Sequence, residues 1–585
     1  MSIDTHVLVI GAGMSGLALA VQLIRTYNCR DFHIVEKEND VGGTWLVNTY
    51  PGCGCDVASH FYSYSFALNP DWSRKFSLRP EIQAYFRHVA ERYNLIPHIS
   101  FKTTVQTARW VETDQLWEVT IKDHYTQTTS IRRCRILVSG VGSLSIPKKC
   151  DISGAETFKG PLFHSAQWNH KLDWTGKKVV VLGNGCSATQ FVPVMAERAE
   201  SLTQFARQAH YLAERPNPVY SNSFKALMRY MPLAMRLYRF KLYADMERDF
   251  AGFDVESGRG IRQALKEENE QYVKSMAPQR YWDALIPKHE IGCKRKVMDT
   301  DYLACLHRDN VELVHDDLVE SITENGVVTK SGRHVEADAI ILATGFEVFR
   351  MLYPMEIIGE NGVSLNEYWE NQHDGAAQAY LGTSVPGFKN FFVMFIIPAP
   401  SNSPGPNTVT GHLSVIYTVE CQVNFVLRLI EPILSSSRAK GKLFSSPAVT
   451  SVDVKKPAAI RDSNWMQDKL KKLVWSSGCT SWALDPKTNL NIAMYPQYQF
   501  MFWLRSIFIP GSDFEYQYRD SKGLHKKQLV IGGWKAARNA LRTIIIVSAI
   551  GIAGVRRSGG LSQARDVVVK SFSSILAEMR GLLRL

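Results

Sequence analysis

Two strand–glycine turn–helix units constrain this chain more than any other feature. The first opens with His6–Ile10, a short apolar strand that runs into Gly11-Ala12-Gly13-Met14-Ser15-Gly16 and then into the helical run Leu17–Leu23. In a G-x-G-x-x-G turn so placed, Gly11 permits the sharp reversal and Gly13 lets a pyrophosphate approach the backbone N–H groups at the helix start. Gly16 lets helix and strand pack closely. A second strand, Phe32–Val35, ends in Glu36, whose carboxylate can accept hydrogen bonds from ribose hydroxyls. The glycines alone would be a turn; with strand, helix and acid they read as a dinucleotide cradle.

The second unit begins at Lys177–Leu182 and passes through Gly183-Asn184-Gly185-Cys186-Ser187-Ala188-Thr189 into a helix that reaches Met195. Ala188 stands at the third glycine position, which the pattern tolerates, and Ser187, Ala188 and Thr189 open the helix. The next strand, Leu202–Ala206, ends in Arg207 instead of an acid. A guanidinium suits a 2′-phosphate through paired hydrogen bonds, so NADPH is expected over NADH, against the plainer reading of a surface arginine.

Two cradles imply two cofactors, and FAD beside a nicotinamide implies hydride transfer between them. Two further apolar strands, Ile136–Gly140 and Ala339–Gly345, end in small residues that let backbone pass close to a cofactor. The expected fold is α/β, with two Rossmann-like dinucleotide-binding domains, the NADP domain inserted into the FAD domain, and a helical C-terminal tail. The expected divisions are residues 1–150 and 341–533 for the FAD domain and its substrate loops, and 151–340 for the NADP domain. A helical insertion is expected at about 215–290 and the tail at 534–585.

Composition narrows the partners. At 585 residues the chain has room for two or three cores. Its +12 charge comes without a block of Lys/Arg or a basic-aromatic stripe, so phosphate-bearing cofactors account for it and nucleic acid is not expected. The ten cysteines are scattered, and Cys53 and Cys55 have neither zinc-site nor C-x-x-C spacing. No metal is expected, and a reducing, cytoplasmic setting is. The first motif begins too early to leave room for a cleavable secretory segment.

Two long patterns carry a resemblance. Gly42-Gly43-Thr44-Trp45-Leu46-Val47-Asn48-Thr49-Tyr50-Pro51-Gly52-Cys53-Gly54-Cys55-Asp56 delivers a lone acid after two turns, and Phe158, Gly160, His164 and Trp168 fall in an F-x-G-x-x-x-H-x-x-x-W frame. With the two cradles in order, the chain resembles the class B flavoprotein monooxygenases of the Baeyer–Villiger type. Asn169 departs from the fingerprint, which continues with Pro or Asp. The segments Ser59–Phe66, Ala343–Phe346, Ser403–Asn407, Cys479–Trp482 and Tyr495-Pro496 are similar to the same family, with Ala483 where a larger aromatic is common.

The resemblance implies a flavin peroxide that inserts one oxygen atom of O2 beside a carbonyl, turning a ketone into an ester or lactone. It places Arg295, in Gly292-Cys293-Lys294-Arg295-Lys296, as the cation that stabilises the oxygen species, and Asp56 as the acid that pairs with it. Lys294 would join Arg207 around the 2′-phosphate. Thr44, Trp45, Leu46, Val47 and Tyr62 are expected at the flavin, and His164 and Trp168 to organise the inter-domain linker and the nicotinamide site. Oxygen transfer to sulfur, nitrogen or an alkene stays open, as do a flavin disulfide reductase using Cys53 and Cys55 and a non-catalytic binding role. The substrate is expected to be a small, apolar metabolite.

At the far end, Thr543–Val555 is a run of about 13 mostly apolar residues flanked by Arg542 and Arg556-Arg557. As a helix it would reach only about 20 Å against about 30 Å of hydrocarbon. Val568, Phe572, Ile575, Met579 and Leu582 then follow helical spacing among basic residues. Lying on an anionic membrane surface and docking on the protein's own core both fit that pattern.

Overall fold

Both glycine turns lie where a parallel strand, buried on its two faces, hands over to a helix. The computed structural model describes residues 3–529, apart from 143, 348–351, 353, 374–377, 395–407, 409–411, 439–447, 477–483, 485–489, 492, 521–522 and 528. The segments Ser403–Asn407 and Cys479–Trp482, Ala483 and the 534–585 tail therefore lie outside the described residues.

The strand Thr5–Ile10 pairs in parallel with Phe32–Val35 on one side and with Thr129–Ser139 on the other. Its side chains alternate between two cores. Val7 and Val9 pack with Leu17 and Val21 of the Met14–Tyr27 helix, while Leu8 and Ile10 pack with Trp110, Trp117 and Phe391. Burial of both faces is why the run is almost continuously apolar. An antiparallel meander, Thr103–Val111, Leu116–Asp123 and Thr129–Ser139, widens the sheet. Two strands from much later in the chain complete it: Glu356–Ile358 pairs with Thr103–Val111, and Phe391–Val393 with Thr129–Ser139.

Between those two contributions lies a second sheet, all parallel, in the order Val311–Val314, Ser201–Phe205, Lys178–Leu182, Ala339–Leu342, Leu162–His164. Val179 and Val181 face the Ala188–Ala196 helix through Phe191 and Val192, and Val180 and Leu182 face the opposite core with Ile340 and Leu342. The second nucleotide fold is thus inserted in the first. Within it, the helices Asn222–Tyr230, Ala234–Glu247, Arg259–Met276 and Trp282–Leu285 form a helical insertion. A short parallel pairing of Leu212–Ala213 with Val297–Met298 closes it at its neck. That closure places Lys294-Arg295-Lys296 immediately before a fixed strand.

The helix Val415–Arg438 packs against the Met14–Tyr27 helix, the Gln499–Ile507 helix and the strand Ala448–Val454. Among the described residues no helix is long and apolar enough to cross a membrane. Cys293 is disulfide-bonded.

The glycines of the two turns do different work. A Cβ on Gly16 would lie 2.0 Å from the Gly11 carbonyl oxygen, a backbone atom that cannot swing aside, whereas a Cβ on Gly185 meets nothing within 4 Å. Gly16→Ala is therefore expected to destabilise the fold by about 3 kcal/mol. Gly185→Ala should leave unfolding within about 0.5 kcal/mol and act only on ligand approach. Urea unfolding of the two variants measures the contrast.

Candidate active site

At the first cradle the Met14–Tyr27 helix starts at Gly13 with no side-chain cap and no acid in its first turn. The Ala188–Ala196 helix of the second cradle likewise starts uncapped and without an acid. The Asn222–Tyr230 helix behaves differently: Ser221 caps it by accepting from the Phe224 N–H. Uncapped helix starts behind glycine turns leave N–H donors for a phosphate, and the open space at Gly185 gives one room, so both cradles fit a dinucleotide.

Glu36 lies buried beneath the first turn. One carboxylate oxygen accepts from the Ala12 N–H at 2.6 Å and the other from the Glu38 N–H at 2.9 Å. Burial pushes its pKa up. The acid thus shapes the glycine turn, and each oxygen keeps a second lone pair that a hydroxyl could use. Thr44–Val47 forms one helical turn next to it, starting at Gly43, whose φ of 56° lies in the left-handed region. Trp45 is buried and donates its indole N–H to the Tyr62 hydroxyl at 3.0 Å, and burial raises Tyr62 well above the usual phenol pKa. Thr44, Leu46 and Val47 are half-buried along the same turn. Arg79 holds this turn by donating to the Trp45 and Leu46 carbonyls at 2.7 and 3.0 Å.

In the second cradle a Cβ on Gly183 would meet the Ala343 carbonyl oxygen at 2.4 Å, so glycine is required for the strand approach. Thr189 turns inward: its N–H donates to the Gly185 carbonyl and its hydroxyl to the Cys186 carbonyl, each at 3.1 Å. Its polar groups serve the turn. Arg207 is exposed, and Lys294 bonds to the Gln208 side-chain carbonyl beside it. Burial and then the nearby Arg207 charge hold the Lys294 pKa below the ordinary lysine range. Two cations from distant parts of the chain thus converge where a 2′-phosphate would enter.

Asp56 and Arg295 meet as expected. The Arg295 Nε donates to Asp56 Oδ2 at 2.8 Å and its Nη2 lies 2.8 Å from the same oxygen. Each side chain is 30% exposed. The Asp56 charge raises the Arg295 pKa, so the guanidinium stays protonated throughout the working range. Among the described residues Nη1 has no protein acceptor.

Two residues that sequence reasoning missed hold the loop leading to Asp56. Gln190, on the Ala188–Ala196 helix, accepts from the Tyr50 hydroxyl at 3.1 Å and the Gly54 N–H at 3.2 Å, and donates to the Gly54 carbonyl at 3.0 Å. Arg215 donates to the Cys55 carbonyl at 2.8 Å. The second nucleotide fold thereby grips a loop of the first. Gln190 follows the glycine turn directly and so was available to inspection; nothing local marks Arg215.

His164 is buried at the end of its strand, accepts from the Ala166 N–H at 3.1 Å, and has its ring against Phe346. Burial lowers its pKa, which keeps the ring neutral. Trp168 is buried against Phe163, Trp174 and Phe191. Both therefore pack the linker onto the second fold. Cys53 and Cys55 are buried free thiols, Cys53 pushed up to about 11 and Cys55 higher still by burial. Thiols so protonated are poor nucleophiles, which weakens the disulfide-reductase reading.

Two dinucleotide cradles, the second gripping a loop of the first, with a fixed ion pair between them, define an oxidoreductase that works with a flavin nucleotide and a nicotinamide. Residues 4–365 match the family model described as flavin-binding monooxygenase-like. A Baeyer–Villiger monooxygenase of Pseudomonas aeruginosa is 34% identical over 501 residues, 85% of this chain and 88% of that one. One of Streptomyces coelicolor is 35% identical over 497 residues, 84% and 88% of the two chains. Among solved structures, a steroid monooxygenase bound to NADP superposes with TM-score 0.71 at 26% identity, covering 88% of this chain and 99% of that one. OTEMO in complex with FAD and NADP gives 0.74 at 25% identity, covering 88% and 100%. The chain belongs to the flavin-binding monooxygenase-like family, in its Baeyer–Villiger branch.

Replacing Arg207 or Lys294 by Ala is expected to raise the KM for NADPH by about 10- to 100-fold, the loss of a charge-assisted bond, and to leave that for NADH unchanged. Because the Lys294 pKa is depressed, its charge is lost at a lower pH than an ordinary lysine's. The kcat/KM for NADPH, which reports the free enzyme, should fall with rising pH sooner than in Lys294→Arg. Steady-state kinetics with both nucleotides across pH test this.

Proposed function

We propose that this FAD- and NADPH-dependent monooxygenase places one oxygen atom of O2 next to the carbonyl of a small, apolar ketone, giving an ester or lactone. The observation that carries the reading is the Asp56–Arg295 pair at the meeting of the two cradles. FAD belongs at Gly11–Gly16 with Glu36, Thr44, Trp45, Leu46, Val47 and Tyr62, and NADPH at Gly183–Ala188 with Arg207 and Lys294. Bound FAD, reduced by NADPH, supplies the chemistry that activates dioxygen.

The protein's part is charge and orientation. Arg295 is a permanent cation whose Nη1 is left for a developing oxyanion. Asp56 accepts two N–H groups on one oxygen, which fixes the direction of the guanidinium. Gln190 and Arg215 hold the loop that carries Asp56, and Tyr50, Cys53, Cys55 and Tyr62 are buried around it. The division into residues 1–150 and 341–533 for FAD and 151–340 for NADPH accompanies this reading. So does a cytoplasmic setting in which the apolar and basic 534–585 sequence contacts a membrane surface.

In Arg295→Ala, flavin content and NADPH oxidation should persist while ester formation falls by about 10²–10³-fold, in line with loss of an oxyanion donor. Hydrogen peroxide should replace the missing product, and Arg295→Lys should recover part of the rate. Product formation at the parent rate in Arg295→Ala would remove Arg295 from the chemistry.

A further inference from the structure

The helical insertion carries an apolar surface that the site above does not use. Its first two helices, Asn222–Tyr230 and Ala234–Glu247, are joined by a tight turn at Met231-Pro232-Leu233. Tyr230 is 74% exposed, Met231 56% and Leu233 65%, and Leu227 and Leu237 are exposed on the same hairpin. Leu233 holds φ at 65°, a left-handed conformation costly for a branched side chain and not repaid by packing. A groove of about 230 Å³ runs along the tip, lined by Tyr230, Met231, Leu233 and Met235 together with Arg229 and Arg236.

The opposite side of the hairpin is anchored. His60 is buried with its ring edge-on to Tyr220, Phe224 and Tyr238, and Arg239 turns inward to the His60 and Phe61 carbonyls. The apolar tip is thus held outward from a fixed base next to the Ser59–Phe66 segment.

Charge selects the occupant. From Arg215 to Ala244 the sequence holds Arg215, Lys225, Arg229, Arg236, Arg239 and Lys241 and no Asp or Glu. Arg215 and Arg239 point inward, Arg229 pairs with Asp71, whose charge Lys225 also faces, and Lys241 pairs with Asp245, while Arg236 has no ion pair among the described residues. A two-fold contact with a second copy would set this cationic surface against itself. An aromatic and apolar tip flanked by Lys225 and Arg236 is the pattern of a segment that enters the headgroup layer of an anionic membrane. We propose that the 222–240 hairpin docks the enzyme on an anionic phospholipid surface, with Tyr230, Met231 and Leu233 inserted and Lys225 and Arg236 at the headgroups. The inference does not rest on the reaction assigned above.

The test uses the full chain with phosphatidylcholine vesicles, with and without phosphatidylglycerol. Hydrogen exchange should slow across 222–240 only with the anionic vesicles, and Met231→Asp/Leu233→Asp should partition at least about tenfold less, as charge enters an inserted apolar tip. Lys225→Glu/Arg236→Glu should lose the preference for phosphatidylglycerol. Both variants should keep the parent melting temperature and turnover of a water-soluble ketone. Three outcomes would overturn the proposal: unchanged partitioning of the double Asp variant, protection confined to 534–585, or burial of the hairpin in a concentration-dependent dimer without lipid.

Discussion

The ion pair between Asp56 and Arg295 forms only when several long-range arrangements are already in place. Asp56 ends a loop of the first nucleotide fold, and Arg295 sits at the neck that closes the helical insertion of the second. At 30% exposure such a pair contributes at most about 1 kcal/mol to folding. Its importance is therefore geometric. Two N–H groups directed at one carboxylate oxygen leave the guanidinium a single orientation, and the rest of the site is disposed to preserve it.

That disposition is built from backbone contacts more than from side-chain charge. Gln190 bonds both the N–H and the carbonyl of Gly54, and a Cβ on Gly52 would strike the Gln190 carbonyl oxygen at 2.4 Å. Arg215 adds a bond to the Cys55 carbonyl. The first helix of the nicotinamide fold thus presses on the loop that ends in the acid of the flavin fold. Movement of one nucleotide fold relative to the other would reach Asp56 through these contacts within a few residues.

Much of the fold was legible because its signals are local. An apolar strand, a glycine turn and a helix occupy consecutive residues at Gly11 and again at Gly183, and continuous apolar runs announced strands buried on both faces. The inserted order followed from where the second unit falls between strands of the first. The Asp56–Arg295 and Arg207–Lys294 pairs came from family resemblance, since nothing in their spacing requires contact. Arg79, Gln190 and Arg215 were not legible: each acts on carbonyls or amides that folding alone brings near. Thr189, the second residue of its helix, donates its hydroxyl to the Cys186 carbonyl of the same glycine turn, a bond that neighbouring residues alone could have announced. Cys293 gave no sign of its disulfide, since pairing depends on a partner set by the fold.

In the proposed reaction the cation fixed by Asp56 serves oxygen insertion beside a carbonyl. Mass spectrometry of products from ketones, sulfides, amines and alkenes, with NADPH and 18O2, tests it most directly. An ester or lactone carrying one labelled oxygen atom, formed as NADPH is consumed, is the expected product. Label found only in sulfoxides, N-oxides or epoxides, with every ketone recovered unchanged, would contradict it.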